Sequence, residues 1–122
     1  MPTEMRVLMY TDHEVVGSLA AFYRRAGRPL TVGTIRNYTI RETDNGVGVD
    51  LAVETIDGEV VEHAIAENDL AAALIMDAIK RKIPLPAEAD KRLYVIENHV
   101  TLIVHKRRTR SDPTRIRGPN GR

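Results

Sequence analysis

The chain contains no cysteine and no tryptophan, and its aromatic residues are limited to one Phe and four Tyr among 122 residues. The lack of cysteine excludes disulfide bonds, thiolate metal sites and cysteine nucleophiles. Because aromatics are scarce, the core must consist mainly of Val, Ile, Leu and Ala. The apolar share of 43% is ordinary for a globular protein, and the length predicts one domain.

Motifs that would identify an enzyme or a membrane protein are also missing. The only serines are Ser18 and Ser111, and neither occupies a strand-to-helix elbow of the hydrolase type. The sequence has no glycine-rich phosphate loop, no helical histidine pair of the metalloprotease type, and no motif specific enough to name a family. No secretory signal and no run of transmembrane length is visible. We therefore expect a cytoplasmic protein with no cofactor, no metal and no membrane span. Enzymatic activity stays open, and a protein without it is favoured.

Charge divides the chain into two parts. Residues 106–122 carry seven Lys or Arg and one acid, whereas the rest of the chain carries 11 basic and 16 acidic residues. The basic segment has Ile116 as its one aliphatic residue, too little apolar surface to order itself. We expect a single domain over residues 1–105, followed by a disordered basic tail over residues 106–122.

A hairpin is predicted over Tyr38–Val53, with Asn45-Gly46 as its two turn residues and Asp44 facing Val47. Its apolar face then contains Tyr38, Ile40, Val47, Val49, Leu51 and Val53. A second turn, Ile56-Asp57-Gly58, fits a three-residue loop with glycine in the left-handed conformation. That loop places Val61, His63 and Ile65 on the same face, which predicts a three-stranded antiparallel meander.

Two helices flank this meander in the sequence. Thr11-Asp12-His13-Glu14 predicts a capping box, and the helix it opens has an apolar stripe of Val15, Leu19, Phe22 and Ala26. The second helix is predicted over Ala66–Lys82, with Asn68 as its cap. Its polar stripe is narrow, so we expect burial on more than one side, or at a subunit interface.

The final hairpin is predicted to join Leu93–Glu97 and His99–His105 around Asn98. One face contains Leu93, Val95, Val100, Leu102 and Val104. Met5–Tyr10 is too short for periodicity to separate a strand from the start of a helix. The predicted fold is α+β, in which two helices cover an antiparallel sheet made of the meander and the C-terminal hairpin.

Three functional hypotheses follow from these patterns, and the first is self-association. Tyr94, Ile96 and Ile103 lie on the face of the final hairpin that points away from the predicted core. Such residues would leave a large apolar patch exposed on a monomer. A non-enzymatic interaction module that forms a homodimer is therefore the leading hypothesis.

The second hypothesis is polyanion binding by the tail. Clustered basic residues attract nucleic acid or an acidic protein, and the cluster consists of Lys106, Arg107, Arg108, Arg110, Arg115 and Arg117. A solvated tail without a specific role explains the same composition equally well. The third hypothesis is a small-molecule or enzyme pocket near His63, for which the alternative is a half-buried histidine bonded to backbone.

Overall fold

The computed structural model describes residues 4–86 and 88–106. In chain order these residues form β1 (Glu4–Tyr10), α1 (Asp12–Arg25), β2 (Thr34–Thr43), β3 (Gly46–Glu54), β4 (Val60–Ile65), α2 (Glu67–Lys80), β5 (Asp90–Ile96) and β6 (His99–Lys106). The strands make two three-stranded antiparallel sheets, ordered β1-β6-β5 and β2-β3-β4. The predicted α+β class, the meander and the final hairpin are confirmed. Neither described helix is long and apolar enough to cross a membrane.

Met5–Tyr10, which the sequence left open between strand and helix, belongs to strand β1. It pairs with β6 without a register shift, from Glu4 opposite Lys106 to Tyr10 opposite Val100. On the other side of β6, β5 pairs through a two-residue turn that places Ile96 opposite His99. The two strands of the predicted final hairpin therefore belong to a three-stranded sheet together with β1. Its predicted inner face is confirmed, since Val100, Leu102 and Val104 are buried.

The turn of the central hairpin lies one residue earlier than predicted, which changes the pairing register of the two strands by two residues. Thr43 pairs with Gly46, so Asp44-Asn45 forms the turn instead of Asn45-Gly46. An Asn-Gly turn of the usual hairpin type needs a positive φ at both residues, but only Gly46 has one, at 106°. A shift of two residues returns every side chain to the same face, because the strand period is two. The predicted apolar face is therefore preserved.

The loop between β3 and β4 follows the prediction. Gly58 adopts a left-handed φ of 84°, and the Thr55 N–H donates to the Glu59 carbonyl at 2.8 Å. Beyond the loop, Val53 pairs with Val61 and Leu51 pairs with His63. The three-residue loop thus aligns the apolar positions of the two strands on one face, where Leu51 and Ile65 belong to the buried core.

Helix α1 begins with the predicted capping box. Thr11 Oγ1 accepts from the Glu14 N–H at 3.2 Å, and the Glu14 carboxylate accepts from the Thr11 N–H at 2.9 Å. Val15 and Leu19 are buried as expected. The stripe then differs from the prediction, because the helix ends at Arg25 and Ala26 becomes an exposed cap residue. Tyr23 is buried in its last turn, and Phe22 only partly so.

Helix α2 is shorter at both ends than predicted. It begins at Glu67 after the N-cap residue Ala66, so Asn68 lies inside the first turn and is not the cap. The Glu67 carboxylate accepts a hydrogen bond from the Val47 N–H at 2.8 Å, which ties the start of the helix to β3. At the other end, Lys82 adopts a left-handed φ of 62° and the helix stops at Lys80.

The strongly apolar composition of α2 is explained by three packing partners. The helix contacts α1, strand β3 of the second sheet and strand β5 of the first sheet. Leu70, Ala73, Leu74 and Ala78 are buried and share one face of the helix, and Ala71 beside that face packs against the same buried cluster. Ile75 packs against the buried cluster but is only partly buried itself.

Leu74→Ala should lower the free energy of unfolding by about 2–5 kcal/mol, because it opens a cavity at a fully buried position between three elements. Ile79→Ala is the matched control on the same helix, since Ile79 is 63% exposed. Urea melts of both variants measure the difference. Equal losses at the two positions would contradict the observed packing of α2.

Alanine substitutions at two of the glycines should have opposite effects on the stability of the protein. A Cβ at Gly48 would lie 2.6 Å from the Ile65 carbonyl oxygen and closer still to the Arg41 guanidinium, so Gly48→Ala should destabilise the fold by about 1–3 kcal/mol. A Cβ at Gly17, within α1, meets nothing within 4 Å, so Gly17→Ala should stabilise by up to about 1 kcal/mol. Thermal melts of both variants measure whether each substitution raises or lowers the stability. Stabilisation by Gly48→Ala would contradict the close approach at this position.

Candidate functional site

The first candidate site is the face of the β1-β6-β5 sheet that points away from the helices, which we call the outer face. The register places Val7 beside Ile103, and Thr101 between Met9 and Tyr94. Four large side chains on this face are exposed: Met5 by 62%, Val7 by 48%, Met9 by 43% and Tyr94 by 42%. The outer face is therefore an apolar surface that no element of the described chain covers.

The residues predicted for self-association all lie on the outer face. Tyr94 is exposed, whereas Ile96 and Ile103 are partly buried by their neighbours on the same sheet. Thr101 is fully buried at the centre, and its hydroxyl donates to the His99 carbonyl at 3.1 Å. Charged and titratable groups lie toward the edge and the ends, with Arg92 on the edge strand β5 and His105 near one end.

Sequence reasoning missed the half of this face that β1 contributes. Met5, Val7 and Met9 alternate with Arg6, Leu8 and Tyr10, which is the period of a strand. Leu8 and Tyr10 pack on the core, so the odd-numbered residues point outward. That alternation was present in the sequence, but six residues do not separate it from a helix start.

The second candidate site is a cleft of about 630 Å³ at the end of the first sheet. Three segments that are distant in the sequence line it: the β1–α1 junction, the first half of β2 and the β5–β6 turn. The lining residues are Tyr10, Thr11, Asp12, Ile35, Arg36, Asn37, Tyr38, Glu97, Asn98 and His99. Its volume lies in the range of sites that hold small molecules, roughly 300–1,000 Å³.

The polar groups of the cleft have distinct hydrogen-bonding states. His99 Nδ1 donates to the Glu97 carbonyl at 2.8 Å, so in the neutral ring Nε2 carries the free lone pair. Burial, and then the Asp12 carboxylate, raise the pKa of Tyr38 to about 12. The Arg36 guanidinium forms an ion pair with Glu54.

Backbone strain accompanies the cleft at the β5–β6 turn. Glu97 and Asn98 have φ angles of 50° and 63°, the left-handed conformation that a two-residue hairpin turn of type I′ requires. Asn adopts it readily, but Glu does so only at a cost in free energy. Strained residues of this kind cluster at binding sites.

Glu97→Asn should raise the free energy of unfolding by about 0.5–1 kcal/mol, because Asn tolerates the left-handed conformation better than Glu. The matched control is Glu59→Asn in the β3–β4 loop, since Glu59 is exposed and has no positive φ. It should change stability by less than about 0.5 kcal/mol. Urea melts compare the two variants, and a destabilised Glu97→Asn would mean that the Glu97 side chain stabilises the turn.

His63 occupies β4 opposite Leu51, where its ring Nε2 lies 3.0 Å from Thr31 Oγ1. This contact ties the segment before β2 to the second sheet. A partly buried histidine with a side-chain partner fits a structural role, and the small-molecule pocket at His63 stays a prediction.

The basic cluster lies almost entirely beyond the residues that the structure describes. Lys106 is exposed at the end of β6, opposite Glu4. The other members of the cluster, Arg107, Arg108, Arg110, Arg115 and Arg117, lie outside the described residues, as does the rest of the predicted tail. Polyanion binding therefore stays a prediction from the charge pattern.

Over residues 4–86 and 88–106, no three His, Asp or Glu side chains come together in a way that could hold a metal ion. Known proteins offer no guide to function here. No protein-family model matches the chain, and neither does any curated protein or any solved structure.

Proposed function

We propose that this chain is a small non-enzymatic interaction module that associates with a second copy of itself through the outer face. The observation that supports this most strongly is the exposure of four large apolar side chains, Met5, Val7, Met9 and Tyr94, on a single sheet face. Scattered exposed apolar residues are normal, but a contiguous group on one face is typical of an interaction surface.

The size of the outer face suits a weak and reversible dimer. The three strands have seven, eight and seven residues in the order β1, β6 and β5, and they present an area of roughly 15 Å by 24 Å. Stable interfaces bury about 800 Å² of accessible surface on each partner, so a face of this size lies at the low end of specific association. We expect dissociation in the micromolar range and not an obligate dimer.

A second copy fits the outer face because the apolar side chains can pair symmetrically. A two-fold axis parallel to β6 would bring Ile103 against its own copy and Met9 over Tyr94 of the second copy. Sulfur–aromatic contacts of the Met–Tyr type are favourable. The same axis lays Arg92 over Val7, where the aliphatic stem packs and the guanidinium reaches solvent at the rim.

Sedimentation equilibrium between about 5 and 200 µM tests this proposal, a range set by the expected micromolar affinity. Met9→Asp and Ile103→Asp should each shift the population to monomer, because they bury a carboxylate in an apolar contact. Met9 is exposed, so its replacement should leave the fold intact. The matched control is Val60→Asp on the second sheet, 53% exposed, which should leave dimerisation unchanged. A wild-type protein that is monomeric throughout this range would contradict the proposal.

Polyanion binding is a second candidate function, favoured by the seven basic residues from Lys106 onward. Affinity for duplex DNA or RNA should then fall steeply with salt, because each phosphate contact releases counterions. Replacing Arg107, Arg108 and Arg110 with Ala should weaken binding to all sequences alike, as measured by fluorescence anisotropy. Replacing Arg24, Arg25 and Arg28 with Ala is the control, and an equal loss there would assign binding to the folded domain.

A further inference from the structure

We propose that the cleft between the β1–α1 junction, β2 and the β5–β6 turn binds a small organic cation with primary amino groups. This site is separate from self-association. It rests on the chemistry of four side chains that line the cleft: Asp12, Tyr38, Glu97 and His99.

Hydrogen-bond acceptors dominate these four groups. Asp12 and Glu97 contribute carboxylates, and His99 contributes Nε2, because its Nδ1–H is already donated to the Glu97 carbonyl. The Tyr38 hydroxyl makes no hydrogen bond within the part of the chain that the structure describes, so it is available to a ligand. A complementary ligand must therefore supply several donors, as an ammonium group does.

Charge favours the same class of ligand. The two carboxylates are negative, and the Arg36 guanidinium that lines the cleft is already paired with Glu54, a residue outside the lining. Asp12 keeps one oxygen on the His13 N–H at 2.8 Å and has a second oxygen for a ligand. The cleft thus presents net negative charge, and the partly exposed aromatic side chain of Tyr38 lines it.

The strained turn gives this proposal its sharpest test. Glu97 holds a left-handed conformation that Asn adopts at lower cost, so a glutamate at this position lowers the stability of the turn. If Glu97 binds a cation, Glu97→Asn should stabilise the protein and weaken ligand binding together. If Glu97 had only a structural role, the same substitution would not raise stability and weaken ligand binding at once.

Isothermal titration calorimetry of the full chain provides the measurement, with three probes that share a four-carbon skeleton. We expect 1,4-diaminobutane to bind at one site per chain, and 1,4-butanediol and succinate not to bind. Glu97→Gln and Asp12→Asn should each weaken diamine binding about tenfold, because each removes a charge-assisted hydrogen bond. Glu59→Gln, on an exposed acid outside the cleft, should leave binding unchanged.

Several outcomes would overturn the proposal. These are no diamine binding, equal binding of all three probes, tighter binding of succinate, or an equal loss of affinity in Glu59→Gln, which would indicate non-specific attraction. Circular dichroism confirms that each variant is folded. Repeating the titration with Met9→Asp shows whether the cleft acts independently of self-association: unchanged affinity supports a separate site, and lost affinity in a folded monomer would contradict it.

Discussion

The packing of helix α2 against both sheets is the constraint on which the rest of the structure depends. The sheets share no strand, so no backbone ladder runs continuously through the fold. Leu70 and Leu74 of α2 are fully buried, and the helix contacts β3 of one sheet, β5 of the other and α1. Because each sheet needs an apolar cover for its inner face, the two helices supply it and leave the outer face of the first sheet without one.

Polar contacts fix where α2 docks. The Glu67 carboxylate accepts from the Val47 N–H, and Gly46 leaves room for it because a Cβ there would overlap the carboxylate. Nearby, Arg41 pairs with Asp50 and donates to the Ile65 carbonyl at 3.1 Å across the space that Gly48 leaves open. A second link joins the helices directly, since the Tyr23 hydroxyl donates to Asp69 at 2.5 Å. These contacts hold α1, α2 and the second sheet in one arrangement.

Local signals in the sequence predicted the local structure well. The Thr11 capping box, the loop at Gly58 and the alternation of the final hairpin each depend on residues a few positions apart. The start of α2 was predicted wrongly because Asn68 is a good cap residue, whereas the observed start follows from a contact between Glu67 and a residue of β3. A local sequence pattern cannot predict a contact between residues that are this far apart in the chain.

Long-range assembly accounts for the other parts that the sequence did not predict. Strand β1 pairs with β6 almost a whole domain away in the chain, so the division into two sheets could not be deduced from periodicity. The outward position of Tyr94, Ile96 and Ile103 was predicted because these residues alternate with core residues along the strands of one hairpin. The cleft could not be predicted, because Asp12, Tyr38 and Glu97 meet only when three separate segments come together.

The central claim is that a second copy of the chain covers the outer face of the first sheet. An isotope-filtered NOESY experiment tests it directly, on an equal mixture of ¹³C-labelled and unlabelled protein at a concentration that favours dimer. We expect intermolecular cross-peaks between the Met9 methyl group and the Tyr94 ring, and between the Ile103 methyl groups and their unlabelled copies. Intermolecular cross-peaks confined to α2 or to the second sheet, or none at any concentration, would contradict the claim.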